Sequence, residues 1–389
     1  MIFQEPQLNS LDSDVLYLIE EQRKRLSSFT QSVPHRWAGL LRRNTLAKAV
    51  QGSNTIEGYN ATLDEAIAII EDEPPLEERT EAWLALNGYQ SAMTYILQIV
   101  DDPYFEFSKQ LIKSLHFMMT SHDLQAFPGR WRPGAVYVIN SQSNETVYDP
   151  PAAELLDELI GHLVEYLLQD SRQSAIVTAA MAHLNLTLIH PFKDGNGRMS
   201  RALQTLTLAR RGVVHPVFSS IEEWLGNNTQ AYYNVLAEVG QGSWHPENDA
   251  RPWLRFCLRA HYQQAATIIR RFDEYDRLFR IIRDIVAQER IDQRSELLLF
   301  DCALGRRLTN ARYQKDADVS SFIAGRDLKV LSDKGLINPH GEKRGRYYTA
   351  GKPLLEARQR TRTRRTLEDP YDVISSRSKI VVEPLLPGF

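Results

Sequence analysis

Residues 190–201 read His-Pro-Phe-Lys-Asp-Gly-Asn-Gly-Arg-Met-Ser-Arg and sit between two segments of helical apolar spacing. Before the stretch the spacing runs through Ile176, Ala180, Leu184 and Leu188, and after it through Met199, Leu203, Leu206 and Leu208. That pattern predicts two helices joined by a short polar loop, a narrow constraint on any fold that carries it. Gly195 and Gly197 have no Cβ, so the backbone around Asn196 can turn its N–H groups toward a close anion. A helix starting there aims further free N–H groups the same way. Arg198 and Arg201 are three apart, share a face and can grip different oxygens of one polyphosphate. Histidine is the side chain whose unperturbed pKa lies near neutrality, which makes His190 a candidate general base. Asp194 is a hard oxygen donor of the type that holds Mg²⁺ together with substrate phosphates.

The stretch resembles the Fic family signature, HPFx[DE]GNGRxxR, and meets every specified position. The resemblance implies a mainly α fold with a Fic-type helical core and a β-hairpin flap. It also implies transfer of AMP from ATP to a Ser, Thr or Tyr hydroxyl of a target protein, or of the chain itself. His190 is then the base and Asp194 the ligand of Mg²⁺ or Mn²⁺. Asn196 and the backbone of Gly195 and Gly197 lie at the α-phosphate, with Arg198 and Arg201 on the outer phosphates. Members that phosphorylate their targets carry Lys at the place of Gly197, so glycine favours nucleotidyl transfer. Nothing in the phosphate cradle reads a base, which leaves another nucleotide or a choline-linked diphosphate open as donor.

Upstream, Ser53-Asn54-Thr55-Ile56-Glu57-Gly58 ends a segment whose apolar spacing fits a helix over about 44–58 stopped by Gly58. It resembles the inhibitory helix of the same family, [ST]xxxE[GN], which implies that Glu57 lies against Arg201 and restrains the enzyme. In some members the same glutamate positions the water that removes AMP, and the sequence does not decide that point. Two β-prone runs around a polar turn follow Pro128–Gly134 and predict a hairpin. By resemblance this is the flap that pairs with the target backbone, with Val138, Ile139, Asn140 and Ser141 as its target-binding residues. Tyr232 and Tyr233 line the adenine pocket on the same basis, although no fixed motif marks them.

The chain has 389 residues, 43% of them hydrophobic, and a formal net charge of −3, enough to bury a large core in more than one domain. No unbroken apolar run of membrane-spanning length occurs, and the N-terminus lacks a signal pattern. Cys257 and Cys302 have no CxxC partner, which fits a reducing compartment, and the expectation is a cytoplasmic protein with no membrane partner. His183 reads as a hydrogen-bonded core residue and His215, before Pro216, as a turn. Residues 1–104 are expected to form an N-terminal helical region, 105–255 the catalytic core and 256–289 a helical connector. Residues 290–355 resemble a winged helix-turn-helix, with a helix over Ser320–Ile337 and a turn-rich segment from Asn338. Residues 356–389, with the run Arg358–Arg365, read as a solvated basic tail. Arg326, Lys329, Lys343, Arg344 and Arg346 are placed for nucleic-acid contact. Such modules also serve as protein docks and helix charges commonly mark a solvated face, so nucleic acid is not the favoured partner. A competing reading makes the chain a DNA-binding regulator whose Fic core is a nucleotide-sensing switch. The target protein and the oligomeric state, including a homodimer, stay open.

Overall fold

A computed structural model describes residues 1–31, 37–73, 80–139, 145–169, 174–212, 219–342, 345–363 and 366–381. The chain divides into two compact units. Residues 1–29, 45–266 and 367–389 form the first, and residues 30–44 and 267–366 the second.

The helices of the N-terminal half are α1 (Ser10–Gln31), α2 (Ala38–Ile56), α3 (Leu63–Ile70), α4 (Glu81–Ile99), α5 (Lys109–Thr120), α6 (Leu156–Leu168), α7 (Ala175–Ile189) and α8 (Asn196–Arg210). Between α5 and α6 lie the short strands β1 (Val138–Ile139) and β2 (Thr146–Tyr148). Then follow α9 (Glu222–Asn227), α10 (Thr229–Gly240) and α11 (Arg251–Gln288). The last stretch holds α12 (Glu296–Ala303), α13 (Asn310–Ala317), α14 (Ser321–Asp333), β3 (Ile337–His340), β4 (Tyr347–Ala350), α15 (Lys352–Thr361) and α16 (Pro370–Val381).

The first unit is organised around α7. Its sequence is apolar on nearly every side, and 13 of its 15 residues are buried, as expected of a helix surrounded by others. Ala182, Leu186 and Ile189 face one core cluster with residues of α3, α4, α5, α6 and α8, including Leu86, Ile112, Ile160 and Leu203. Ile176, Ala180, Leu184 and Leu188 face a second cluster with Val15, Ile19, Leu225, Val235 and Trp253. The helix ends where His190 takes the left-handed conformation (φ 51°) and donates its N–H to Leu186 O. Gly195 (φ 76°) then precedes α8 as its N-cap, so six residues, 190–195, separate two buried helices.

The flap region is a shorter ladder than the β-prone runs suggested. Val138 pairs with Tyr148 and Ile139 with Thr146, with an irregular register between them, and Asn140 and Ser141 lie outside the described residues.

In the second unit Arg312 and Arg43 both bind the carboxylate of buried Asp301. Here α13 and α14 are joined by Asp318–Val319–Ser320, with Asp318 left-handed at φ 49°. The expected helix over Ser320–Ile337 stops at Asp333, and the turn-rich segment from Asn338, read as part of a winged helix with a short strand and a basic hairpin, begins with strand β3, which pairs with β4. Cross-strand hydrogen bonding outweighs the turn signal of Asn338 and Pro339, and Pro339, which has no N–H to offer, pairs opposite Tyr348. Lys343, Arg344 and His215 lie outside the described residues.

The expected domain boundaries also shift. The connector is part of one continuous helix, α11, whose residues to 266 belong to the first unit and the rest to the second. The tail is not a solvated extension where it is described. Arg358 pairs with Glu274, Asp369 with Arg259, and Tyr371 and Ile374 pack on the second core cluster. Tyr371 and Ile374, at i and i+3, set one face of the start of α16 against that cluster. Among the described residues, no helix is long and apolar enough to cross a membrane. Both cysteines are buried.

Candidate active site

His190 is fixed by the end of α7. Its Nδ1 lies 3.1 Å from Thr187 O; a carbonyl only accepts, so Nδ1 carries the proton and Nε2 keeps its lone pair. Burial, with Arg132 close by, pulls the imidazole pKa down to about 4. At neutral pH the ring is therefore an uncharged base with the free nitrogen fixed in advance.

Beyond it the loop is braced from inside. Phe192 N donates to Asn196 Oδ1 and Asn196 Nδ2 donates to Phe192 O, each at 2.9 Å. The Asn196 side chain is thus engaged in bracing the loop. Met199 N, bonded to Gly195 O, is the first amide of α8 with an acceptor among the described residues, and Gly195 supplies no side-chain cap. The start of α8 keeps the orphan donors that an anion can satisfy.

Both arginines are buried, Arg198 at 1% exposure and Arg201 at 1%. Arg198 gives one nitrogen to Asp194 at 3.0 Å, while its Nε and Nη1 meet no hydrogen-bond partner among the described residues. The Tyr59 ring lies 5.1 Å from its guanidinium. Arg201 donates Nε to Ser53 Oγ (2.8 Å) and Nη2 to both Ser53 O (2.9 Å) and Glu57 Oε1 (2.6 Å). Its Nη1 is likewise without a partner. Burial alone would lower the Arg201 pKa, but Glu57 and the neighbouring tyrosines outweigh it and hold the group charged. Three buried donors without acceptors are costly in a folded protein, and here they converge on the uncapped helix start.

The Ser53–Glu57 element lies against Arg201 as its resemblance implied, with one difference. The helix proper ends at Ile56; Glu57 is in the closing turn, its N–H on Asn54 O, and Gly58 (φ 85°) completes the turn. A Cβ at Gly197 would come within 2.3 Å of Glu57 Oε1, so this glutamate fits because residue 197 is glycine.

The two tyrosines part ways. Tyr232 is buried at 1% exposure and its hydroxyl bonds His183 Nε2 at 3.0 Å, while His183 Nδ1 bonds Gln204 Oε1. Tyr232 thus belongs to the core under Arg201 and not to an open base pocket. Successive helix positions point about 100° apart, which leaves Tyr233 half exposed with its hydroxyl on Ile56 O at 2.9 Å. His183 is the hydrogen-bonded core histidine expected from sequence.

Two supporting residues went unread in the sequence. His116 of α5 accepts from Gly129 N (2.9 Å), donates to Asp194 O (2.9 Å) and stacks on Phe192 at 3.7 Å between centroids. Arg132 binds His190 O (2.9 Å), Gly134 O (2.7 Å) and Pro151 O. Together they tie the loop to the segment leading into β1. No local motif marks either, because the partners are backbone atoms and the ones in the loop, Asp194 O and His190 O, lie 78 and 58 residues away.

A profile of the Fic/DOC family matches residues 106–208. The protein adenylyltransferase Fic of Nematostella vectensis is 28% identical over 260 residues, covering 65% of this chain and 55% of its own length. That of Aedes aegypti is 29% identical over 211 residues, covering 52% and 37%. The chain thus spans about half the length of the curated relatives it matches or less. Among solved structures, a Fic family protein from Desulfovibrio desulfuricans G20 aligns with a TM-score of 0.57 at 19% identity, covering 90% of this chain and 99% of that one. Residues 134–508 of Fic-1 from C. elegans align at 0.53 and 23%, covering 67% and 72%. The segment that matches the Fic/DOC profile, residues 106–208, is the one that holds His190 and the start of α8 arranged as above.

Proposed function

We propose that the chain transfers AMP from ATP to a hydroxyl of a protein, a partner or itself, and that Glu57 restrains the reaction. The observation that carries this reading is the convergence of three unpaired arginine nitrogens and an uncapped helix start beside an imidazole whose Nε2 is free. Such a cradle suits a polyphosphate. The Nε2 atom takes the proton from the target Ser, Thr or Tyr hydroxyl, the hydroxyl oxygen bonds to the α-phosphorus, and pyrophosphate leaves.

Asp194 has a half-exposed carboxylate, and among the described residues no cluster of three or more acidic, His or Cys side chains stands ready to cage a metal. A single carboxylate fits Mg²⁺, or Mn²⁺, which keeps waters and takes phosphate oxygens as its remaining ligands. The ion would neutralise charge on the phosphates. Backbone amides of 195–197 serve the α-phosphate, and Arg198 and Arg201 the outer ones. The exposed residues Tyr137, Ile139 and Val147 suit the flap to pairing with an extended target segment.

The restraint follows from shared donors. Arg201 Nη2 bonded to Glu57 and Ser53 is not available to a γ-phosphate. A linkage of about 1–3 kcal/mol changes activity roughly 5- to 150-fold. The test is mass spectrometry after incubation with ATP and Mg²⁺. Glu57→Gly should gain +AMP species over wild type, and His190→Ala should gain none. Equal labelling of all three proteins would overturn the assignment of both base and brake.

A further inference from the structure

Charge divides unequally between the two units. Residues 30–44 and 267–366 carry 26 Lys and Arg against 14 Asp and Glu, a net +12; the remaining residues carry 20 against 35, a net −15. The overall −3 conceals a strongly cationic unit, the electrostatic footprint of a polyanion partner.

We propose that this unit docks double-stranded DNA through the outward face of α14. The helix buries Ala324, Asp327, Leu328 and Leu331, and Asp327 is held by Arg294 Nε at 2.7 Å and the Tyr313 hydroxyl at 3.2 Å. The opposite side presents Phe322 at 80% exposure, with Arg326, Lys329 and Val330 also exposed. The side chain of Arg326 remains 60% exposed despite Asp327 at 3.5 Å. Within α14 the exposed acid is Asp333, at its end; Asp316 and Asp318 precede the helix and Glu342 lies in the β3–β4 hairpin, all exposed.

The helix is the second of a helix-turn-helix pair, closed by a three-residue turn and followed by the β3–β4 hairpin. In that arrangement the second helix enters the major groove with its first turns at the base edges. Thirteen residues span about 20 Å, and a B-form major groove about 12 Å wide admits such a helix. The deep, narrow major groove of an RNA duplex does not, which is why DNA is the partner argued for. Arg326 and Lys329 then meet phosphate or guanine edges, Phe322 suits a thymine methyl, and exposed Arg346 beside β4 reaches the backbone.

Fluorescence anisotropy of a mixed-sequence DNA duplex of about 30 base pairs with the full chain tests this between 50 and 200 mM salt. Binding should weaken steeply with salt. Arg326→Ala and Lys329→Ala should each flatten the slope of log K against log salt by about one, and the pair together should cost at least about tenfold. Lys352→Ala removes the same charge from a side chain 86% exposed on α15 and should leave affinity within about twofold, as should replacing only residues off the face. Thermal melting confirms that these surface variants are folded. No binding at 50 mM salt, equal loss in Lys352→Ala, a silent double variant, or equal affinity for an RNA duplex of the same length would each overturn the proposal.

Discussion

A histidine that closes a helix in the left-handed conformation has committed one ring nitrogen to the backbone before any substrate arrives. His190 does this through Thr187 O, and burial keeps the ring neutral down to about pH 4. A general base works only while unprotonated, so its rate falls as pH drops through its own pKa. The transfer rate of Glu57→Gly, in which the neighbouring carboxylate is gone, should stay level from pH 7.5 to about 5.5 and decline below. A decline centred near 6.5 would show the imidazole to be solvated. Gly197 invites a second test at this scale. The Cβ of Gly197→Ala would lie 2.3 Å from Glu57 Oε1 and 3.0 Å from Arg201 Nη1, and the cheaper relaxation is for the carboxylate, on its flexible side chain, to leave. Loss of the Glu57–Arg201 pair in that variant, read as increased solvent exchange of Arg201 Nη protons by NMR, is the expected outcome; an unchanged pair would rule it out. His190, Arg198, Arg201 and Glu57 were all legible in the sequence, since each belongs to a spaced motif. The diversion of Asn196 inward and the burial of Tyr232 were not, because a residue's type does not say whether the backbone or a ligand claims it.

At the scale of elements, α2 and α9 approach more closely than side chains would allow. A Cβ on Gly52 would meet Glu222 O at 2.5 Å, and one on Gly226 would lie 2.7 Å from Gly52 Cα. Two glycines thus let the last turns of α2 seat against α9, where Ser53 and Glu57 reach Arg201. Alanine is normally the better helix former by up to about 1 kcal/mol, so Gly52→Ala is informative through its sign. Overpacking against backbone should destabilise the protein by about 1–3 kcal/mol and, by lifting α2, raise AMP transfer toward the Glu57→Gly level. Gly39→Ala, on the same helix with nothing within 4 Å, should be neutral or stabilising. Denaturant midpoints together with label incorporation separate the two, and identical behaviour of both alanines would dismiss the close crossing as a determinant. Of the helical elements, α7, α8 and the end of α2 were readable from the spacing of apolar residues that flank the motifs. The hairpins were less so: β1 and β2 together hold five residues, and β3 exists only because β4 lies beside it.

For the molecule as a whole, buried neutral histidines set its response to acid. His116, His183 and His261 are buried in the first unit; burial lowers their pKa values, to about 4 for His116, to about 3 for His183 and well below the ordinary range for His261. In the unfolded chain they protonate near 6.5. Between that value and the folded ones, the unfolded state binds more protons, so stability falls as pH falls. Each histidine contributes at most about 1.4 kcal/mol per pH unit, and three together approach the total stability of an ordinary domain, about 5–15 kcal/mol, within two units. Carboxylates with depressed pKa values act in the same direction but only from about pH 5 downward, which leaves the window from 6.5 to 5 to the histidines. In the second unit no histidine is buried among the described residues. Calorimetry at pH 7.5 and 5.5 should therefore show one transition moving to lower temperature by many degrees while a smaller one stays in place. Two transitions that shift together, or none that shifts above pH 5, would mean that these imidazoles reach water more freely than their packing implies.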